Sequence, residues 1–576
     1  MPWWLRRLSR INEHVINAAL AILIGFVGGV GAIAFRFMIK FFQALFYHDT
    51  RDFLLFYHKV SPWAKLFLPA LGGLIVGPII FFWVREAKGH GVPEIMEALV
   101  VRGGRLRPRL TFFQMLVSAI CIGSGSSVGR EGPIVMIGSS AGSAVGQLLR
   151  APEERLRTFV GCGAAAGIAA TFNAPIAGVL FAVEILLNDF RLEKFSPIVL
   201  SSVVATAVAR KYYGDFPALQ APPYHLVSLQ EFVFYGFLGI AAGLAAVLFI
   251  QVLYWCEDFF DRLPFPEYLK PVLGGLIMGL FLLKIPHLFG VGYGAVNRAL
   301  HGELPARLLL LLIFAKILAT SIVLGSGHSG GVFAPSLFIG AMTGGLVGWI
   351  VHSMFPALTA SPGAYALVGM GAVVAAATHG PITAILIIFE LTGDYSIILP
   401  LMLSCIVSTF VSTFLKEGSI YTIKLLRRGL TLRRGWEQSV LAGTLVKEVM
   451  DSHFQTVPED ASLSRVIEAL GRSPHSYLLV VDERGELSGI ISFHDVRLAL
   501  LKGREEAARL TAGDIATREV ITITPEDTLL EAQHRLARLG VSQLPVVDPR
   551  NPRRIVGMIS MRDILSFHER ALLKHL

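Results

Sequence analysis

Apolar positions in the first part of this chain do not alternate; they run together. Ala18–Phe35, Phe67–Val84, Phe232–Trp255, Val272–Leu283, Leu308–Leu324 and Ile397–Leu415 carry almost no charge. A run of about 20 such residues is what a helix needs to cross a bilayer. Several of these runs are shorter, or are broken by Gly and Pro. Broken segments at membrane depth are tolerated only where backbone lines a cavity, so they predict a transport site. From about Gly435 charge rises and glycine thins. Short strand-like runs then alternate with helical ones, which predicts a soluble α/β part.

The apolar region contains itself twice. GREGPIVMIGSSAGSAVG (Gly129–Gly146) is echoed by GGVFAPSLFIGAMTGGLVG (Gly330–Gly348), with Pro133 and Pro335 offset by 202 residues. FNAPIAGVLFAVE (Phe172–Glu184) is echoed by THGPITAILIIFE (Thr378–Glu390), with Pro175 and Pro381 offset by 206. Two pairs at nearly one offset predict a duplicated unit, and paired broken helices place a binding site where the halves meet. The segments themselves leave the relative orientation of the halves open. The C-terminal part has its own duplication. VPEDASLSRVIEAL (Val457–Leu470) matches TPEDTLLEAQHRL (Thr524–Leu536), and Leu478–Asp495 matches Leu544–Asp563.

At the centre of the first echo stand Arg130 and Glu131, ionisable residues inside glycine-rich apolar sequence. Such residues are costly in a membrane and usually functional. Pro133 follows at once, and proline suits the first turn of a helix. Glu131 is therefore placed at a helix N-terminus, where free N–H groups and the helix dipole favour an anion. A carboxylate there can occupy the anion site or leave it to a solute, which is a gate. The competing reading is a scaffold ion pair between Glu131 and Arg130.

Composition agrees with a membrane protein: 53% hydrophobic and 16% charged residues, against about 25% charged in soluble domains. The net charge of +9 falls in clusters at Arg6–Arg10, Arg102–Arg109 and Lys424–Arg434. These suit cytoplasmic loops, with both termini on the cytoplasmic side, rather than a nucleic-acid face. Cys121, Cys162, Cys256 and Cys405 lack metal spacing and read as buried thiols. No nucleophile constellation or metal cluster stands near the repeat, so no enzyme is expected. The absence of a targeting segment suggests a bacterial inner membrane.

The motifs carry a resemblance. GREGP (Gly129–Pro133), GVFAP (Gly331–Pro335), GHGVPE (Gly89–Glu94) and SIYTIKLLRRG (Ser419–Gly429) resemble the signatures of the CLC family of chloride channels and chloride/proton exchangers. The resemblance implies an α-helical membrane domain of inverted repeats, and a homodimer with one pore per subunit. It assigns the anion site to His90, Gly129, Arg130, Glu131, Gly132, Val332, Phe333 and Tyr421. Glu131 is the gate, Val332 and Phe333 offer backbone N–H groups, and Tyr421 offers its hydroxyl. The competing reading of Tyr421, less favoured by the motif, is an interfacial aromatic.

Two positions depart from the family pattern. His90 stands where the family usually has a serine that contacts the anion; it either adds a titratable donor or simply faces the vestibule. Ile185 stands where exchangers often carry a proton-transferring glutamate, and an alkyl side chain relays no proton. The expectation is a voltage- or pH-gated chloride channel, with a chloride/proton antiporter as the alternative and a cation transporter more distant.

The C-terminal pair resembles two CBS modules. GIISFHD (Gly489–Asp495) and GMISMRD (Gly557–Asp563) match that family's ribose-binding pattern. The resemblance gives Ser492, Asp495, Ser560 and Asp563 an adenine nucleotide; the alternative is that the four residues only cap helices. No cofactor is required, and no metal site is expected. The expected domains are a transport domain over 1–434, with repeat halves at roughly 60–215 and 265–425, then CBS domains over 435–505 and 506–576.

Overall fold

The computed structural model describes residues 13–84, 89–190, 192–214, 222, 224–430, 441, 443–473, 476–501, 504–507 and 509–574. The Arg6–Arg10 cluster, Arg433 and Arg434, and the expected domain boundary at 434/435 lie outside the described residues. The chain divides into two compact units after Arg428.

The first unit is helical. α1 (Glu13–Tyr47) leads into α2 (Pro62–Trp83), α3 (Val92–Val101), α4 (Arg109–Gly123), α5 (Glu131–Leu148) and α6 (Glu153–Phe172). α7 (Pro175–Leu180) continues as wider π turns through Phe181–Leu187, and α8 (Leu192–Tyr213) ends the half. The second half repeats the series. It runs through α9 (Glu231–Arg262), α10 (Lys270–Lys284), α11 (Tyr293–Leu300), α12 (Ala306–Gly325) and α13 (Phe333–Met354). α14 (Pro362–Thr378), α15 (Pro381–Thr392), α16 (Ile398–Leu415) and the short α17 (Thr422–Arg427) complete it. Among the described residues six helices are long and apolar enough to cross a membrane, while α4, α7, α14 and α15 are apolar but shorter. Such a mixture of full and partial spans suits a protein that brings helix ends to mid-membrane depth.

Packing repeats as the sequence does. α1 lies against α4, α5, α6 and α8, and α9 lies against α12, α13, α14 and α16. Each structural repeat therefore takes in the long helix that precedes the bounds read from the motifs. The two repeats meet reciprocally at α2 and α10. A Cβ on Gly73 would strike the Pro271 carbonyl, and one on Gly275 would strike the Pro69 carbonyl. Within each repeat, α5 meets α6 at Gly138 and Gly163, and α13 meets α14 at Gly340 and Gly369, each glycine facing the other's carbonyl. Small residues let membrane helices approach this closely and gain dispersion contact where no hydrophobic effect drives them together.

Two carboxylates clasp the repeats. Glu184, on the π turns after α7, accepts from the N–H groups of Ile382 (3.1 Å) and Thr383 (2.6 Å) at the start of α15, and from the Thr383 hydroxyl (2.5 Å). Glu390, near the end of α15, accepts from Ile176 (3.0 Å) and Ala177 (2.7 Å) at the start of α7. Each carboxylate caps the helix N-terminus of the other repeat, an exchange that a local twofold requires.

The second unit holds two modules. In the first, β1 (Thr456–Pro458) pairs parallel with β2 (Tyr477–Val481), which pairs antiparallel with β3 (Leu487–Ser492). α18 (Leu463–Arg472) and α19 (Phe493–Leu501) flank that sheet. In the second, α20 (Leu529–Leu539) precedes the antiparallel pair β4 (Gln543–Asp548) and β5 (Asn551–Ser560), and α21 (Met561–Lys574) follows. Each module has its own apolar core, around Val466, Leu478, Val480 and Ile491 in one and Leu529, Leu544, Val546 and Ile559 in the other. The segment entering the first module bridges the second at Asp451–Met558, and the segment between them bridges the first at Thr517–Ile490. The crossed bridges tie the modules into one body.

Candidate functional site

The site is built where glycine loops from both repeats touch. α4 ends at Gly123 and α12 at Gly325. Ser124 and Ser326 then turn their hydroxyls back onto the carbonyls of Cys121 (3.0 Å) and Val323 (2.8 Å). Gly125 and Gly327 follow with φ of 106° and 109°, a conformation costly for any other residue. The chains cross at Gly129 and Gly331, which exchange two backbone hydrogen bonds of 2.7 and 2.6 Å. Gly89 joins the crossing, donating to the His328 carbonyl (3.3 Å) and accepting from Gly330 (3.2 Å). Three loops far apart in sequence thus form one backbone knot, from which α3, α5 and α13 start.

Glu131 lies at the first residue of α5 and is 1% exposed. Oε2 reaches across the repeat boundary to the Ala334 N–H at 3.3 Å, in the first turn of α13. Oε1 accepts from the Tyr293 hydroxyl at 3.3 Å and lies 4.0 Å from Arg130 Nε. That last distance is at the limit of an ion pair, and Arg130 instead sits 5.3 Å from the centre of the Tyr293 ring. The scaffold-pair reading of Arg130 and Glu131 is therefore weak in geometry. The N–H groups of Val332 and Phe333 meet no protein acceptor among the described residues, so the first turn of α13 keeps donors for an anion.

The other expected residues fall around this point. The His90 carbonyl packs on Gly132 so closely that no Cβ would fit there. The His90 ring is wholly buried, and neither ring nitrogen has a hydrogen-bond partner among the described residues. Tyr421 is buried at the start of α17, on a segment anchored by Ile420 N–H to the Ala377 carbonyl (2.8 Å) and by the Tyr254 hydroxyl to the Ile420 carbonyl (2.8 Å). It lies within electrostatic reach of Glu131. Ile185 lies apart from this cluster, against Gly380 at the start of α15.

Two residues here were not expected from the sequence. Tyr293 starts α11 and holds Glu131. Lys316 is wholly buried on α12, donates to the carbonyls of Gly290 (3.1 Å) and Val291 (3.4 Å), and lies within electrostatic reach of Glu131. It braces the loop that presents Tyr293. A charge inside the Leu308–Leu324 run was the visible signal for Lys316; Tyr293 offered none. A cavity of about 320 Å³, lined by Arg36, Lys40, Arg130 and Tyr293 among others, opens on this side of Glu131.

Residues 72–413 match the family model described as voltage gated chloride channel, and residues 446–502 and 512–570 match the CBS domain model. This chain belongs to the CLC family. It is 36% identical over 420 residues to a putative chloride channel protein ClcB-like of Ralstonia nicotianae, covering 72% of this chain and 98% of that one. A slow cyanobacterial Cl−/H+ antiporter of known structure superposes with a TM-score of 0.66 at 28% identity, over 73% of this chain and 98% of that one. A eukaryotic CLC transporter shares the fold over 96% of this chain and 99% of its own, with a TM-score of 0.63 at 21% identity. The chain is thus an integral membrane protein of CLC fold with a C-terminal CBS pair.

In that pair, Asp495 Oδ2 accepts from its own Ser492 N–H (2.8 Å) and hydroxyl (2.6 Å), and Asp563 Oδ2 from Ser560 N–H (2.9 Å) and hydroxyl (2.5 Å). The four residues form two local boxes at the starts of α19 and α21, the geometry of helix capping.

Proposed function

We propose that this CLC protein exchanges chloride for protons, with Glu131 as gate and proton carrier. The observation that carries this is the Glu131 carboxylate lying against the first turn of α13, in the place where helix N–H groups favour an anion. Ionised, Glu131 competes with chloride for that turn. Protonated, it loses the charge that holds it there and yields the turn to the ion. One group then couples the two solutes. The likeness to the cyanobacterial antiporter supports exchange. Ile185, which lacks a proton-bearing side chain, is the observation that favours a channel instead.

The protein works in this reading as a homodimer with one pore per subunit, in a bacterial inner membrane with both termini cytoplasmic. His90 bears on which anion is preferred. The CBS pair regulates transport through an adenine nucleotide, with each aspartate using one oxygen in its capping box.

The test is chloride efflux from liposomes with external pH recorded together, for the wild type and Glu131→Ala. The wild type should drive protons uphill as chloride runs down its gradient, and Glu131→Ala should pass chloride without protons. Chloride movement without protons in the wild type supports the channel. No anion flux from either protein, in a folded preparation, ends the gate argument.

A further inference from the structure

A cavity of about 410 Å³ lies near the point where α17 leads out of the membrane unit, and it shares no lining residue with the cavity beside Arg130 and Tyr293. Glu94, Glu97, Asp261, Lys424 and Arg428 contribute to its wall, as does Glu257 of α9. Behind Glu257 lies His90, with Nε2 3.6 Å from Glu257 Oε1. A wholly buried imidazole with neither nitrogen hydrogen-bonded is unusual, because buried polar groups normally find partners and each one left unpaired costs of order 1–3 kcal/mol. Such a group is explained if its nitrogens are used by something that passes.

The groups facing the ring come from three helices. Glu94 of α3 and Lys424 of α17 are paired at 2.6 Å. Tyr254 of α9 presents its ring with centroids 6.2 Å apart. Glu257, also of α9, places an acid 3.6 Å from Nε2. On its other side, the His90 backbone is packed against Gly132, next to Glu131.

We propose that Glu257 and His90 form an inner proton relay, carrying protons between this cavity and Glu131 without any contribution from position 185. This rests on the exchange reading above. A hydronium ion in the cavity gives a proton to the Glu257 carboxylate and is left as water. The carboxylic O–H passes the proton to Nε2 of the neutral ring, which becomes an imidazolium. The ring turns and releases that proton from Nε2 to water, which delivers it to the Glu131 carboxylate. One proton enters and one leaves, Nδ1–H is kept throughout, and the neutral ring turns back. The turn breaks no hydrogen bond to a described residue, because neither ring nitrogen makes one.

The experiment uses the full chain in liposomes and reads the ratio of protons to chloride moved. Glu257→Gln changes one atom of the side chain and cannot titrate, so the ratio should fall about tenfold or more. Glu257→Asp, which keeps the acid, should recover much of it. His90→Phe should lower the ratio as well, and its chloride flux verifies that the variant is folded; if it passes none, the Glu257 pair decides. An unchanged ratio in Glu257→Gln, beside a coupled wild type, overturns the relay and leaves antiport standing. A wild type that moves chloride without protons overturns both.

Discussion

Two kinds of carboxylate cap a foreign helix in this protein, and they are held differently. Glu184 and Glu390 each take two backbone N–H groups at 2.6–3.1 Å. Glu131 takes one at 3.3 Å, with a tyrosine hydroxyl also at 3.3 Å. Bonds to an ionised acceptor are strong when short and aligned. The first pair are therefore clasps, while Glu131 is held more loosely. The same residue type, at the same kind of helix end, is held tightly or loosely according to how fully the donors close on it.

That contrast can be broken at several points. Glu184→Ala or Glu390→Ala should have the largest effect on stability, removing charge-assisted bonds worth about 3 kcal/mol in all and leaving a helix end uncapped. The check is thermal unfolding of the detergent-solubilised protein. Glu131→Gln should melt at or above the wild type, because it relieves a buried charge held by two long bonds. A melting loss in Glu131→Gln as large as in Glu184→Ala would erase the distinction.

Tyr293→Phe removes one of the two donors to Glu131, a change of about 1 kcal/mol. It should raise chloride flux about fivefold at neutral pH without a comparable change in melting. Lys316→Met should act in the same direction but less, since it braces the loop carrying Tyr293. The double variant should then fall short of the sum of the two; full additivity would mean that Lys316 acts on the gate by charge alone. The smallest expected effect is in the other unit. Asp495→Asn or Asp563→Asn should each cost about 1 kcal/mol of the CBS module's stability, as a lost helix cap does, read as a shift in its denaturant midpoint.

What the chain reveals of itself depends on what fixes each residue. Gly129, Gly331, Pro133 and Pro335 are dictated by backbone that crosses or begins a helix, so the duplication and the place of Glu131 at a helix start were visible as spacing. The long helices α1 and α9 belong to the same repeats but were not seen as such, because many of their positions need only be apolar, and Phe26, Phe37, Phe237 and Leu244 face outward. Tyr293 was hidden for another reason: its role exists only once α11 is set beside α5, some 160 residues earlier in the chain. The Ser492–Asp495 and Ser560–Asp563 spacings were visible, and the capping alternative read from them is the geometry found. Ile185 was read for what it lacks. Its side chain packs over Gly380, beside the Glu184 clasp.

The crossing of Gly129 and Gly331 has one more consequence. Shifted by the repeat offset of 202, Glu131 falls on Phe333. Around a nearly symmetrical scaffold, one copy supplies a carboxylate and the other supplies the helix turn it reaches, which begins with an aromatic residue. The halves have become unlike partners, as subunits of a fused heterodimer do. The crossing therefore has unlike sides: a buried carboxylate stands on one strand and a phenyl ring at the matching place on the other.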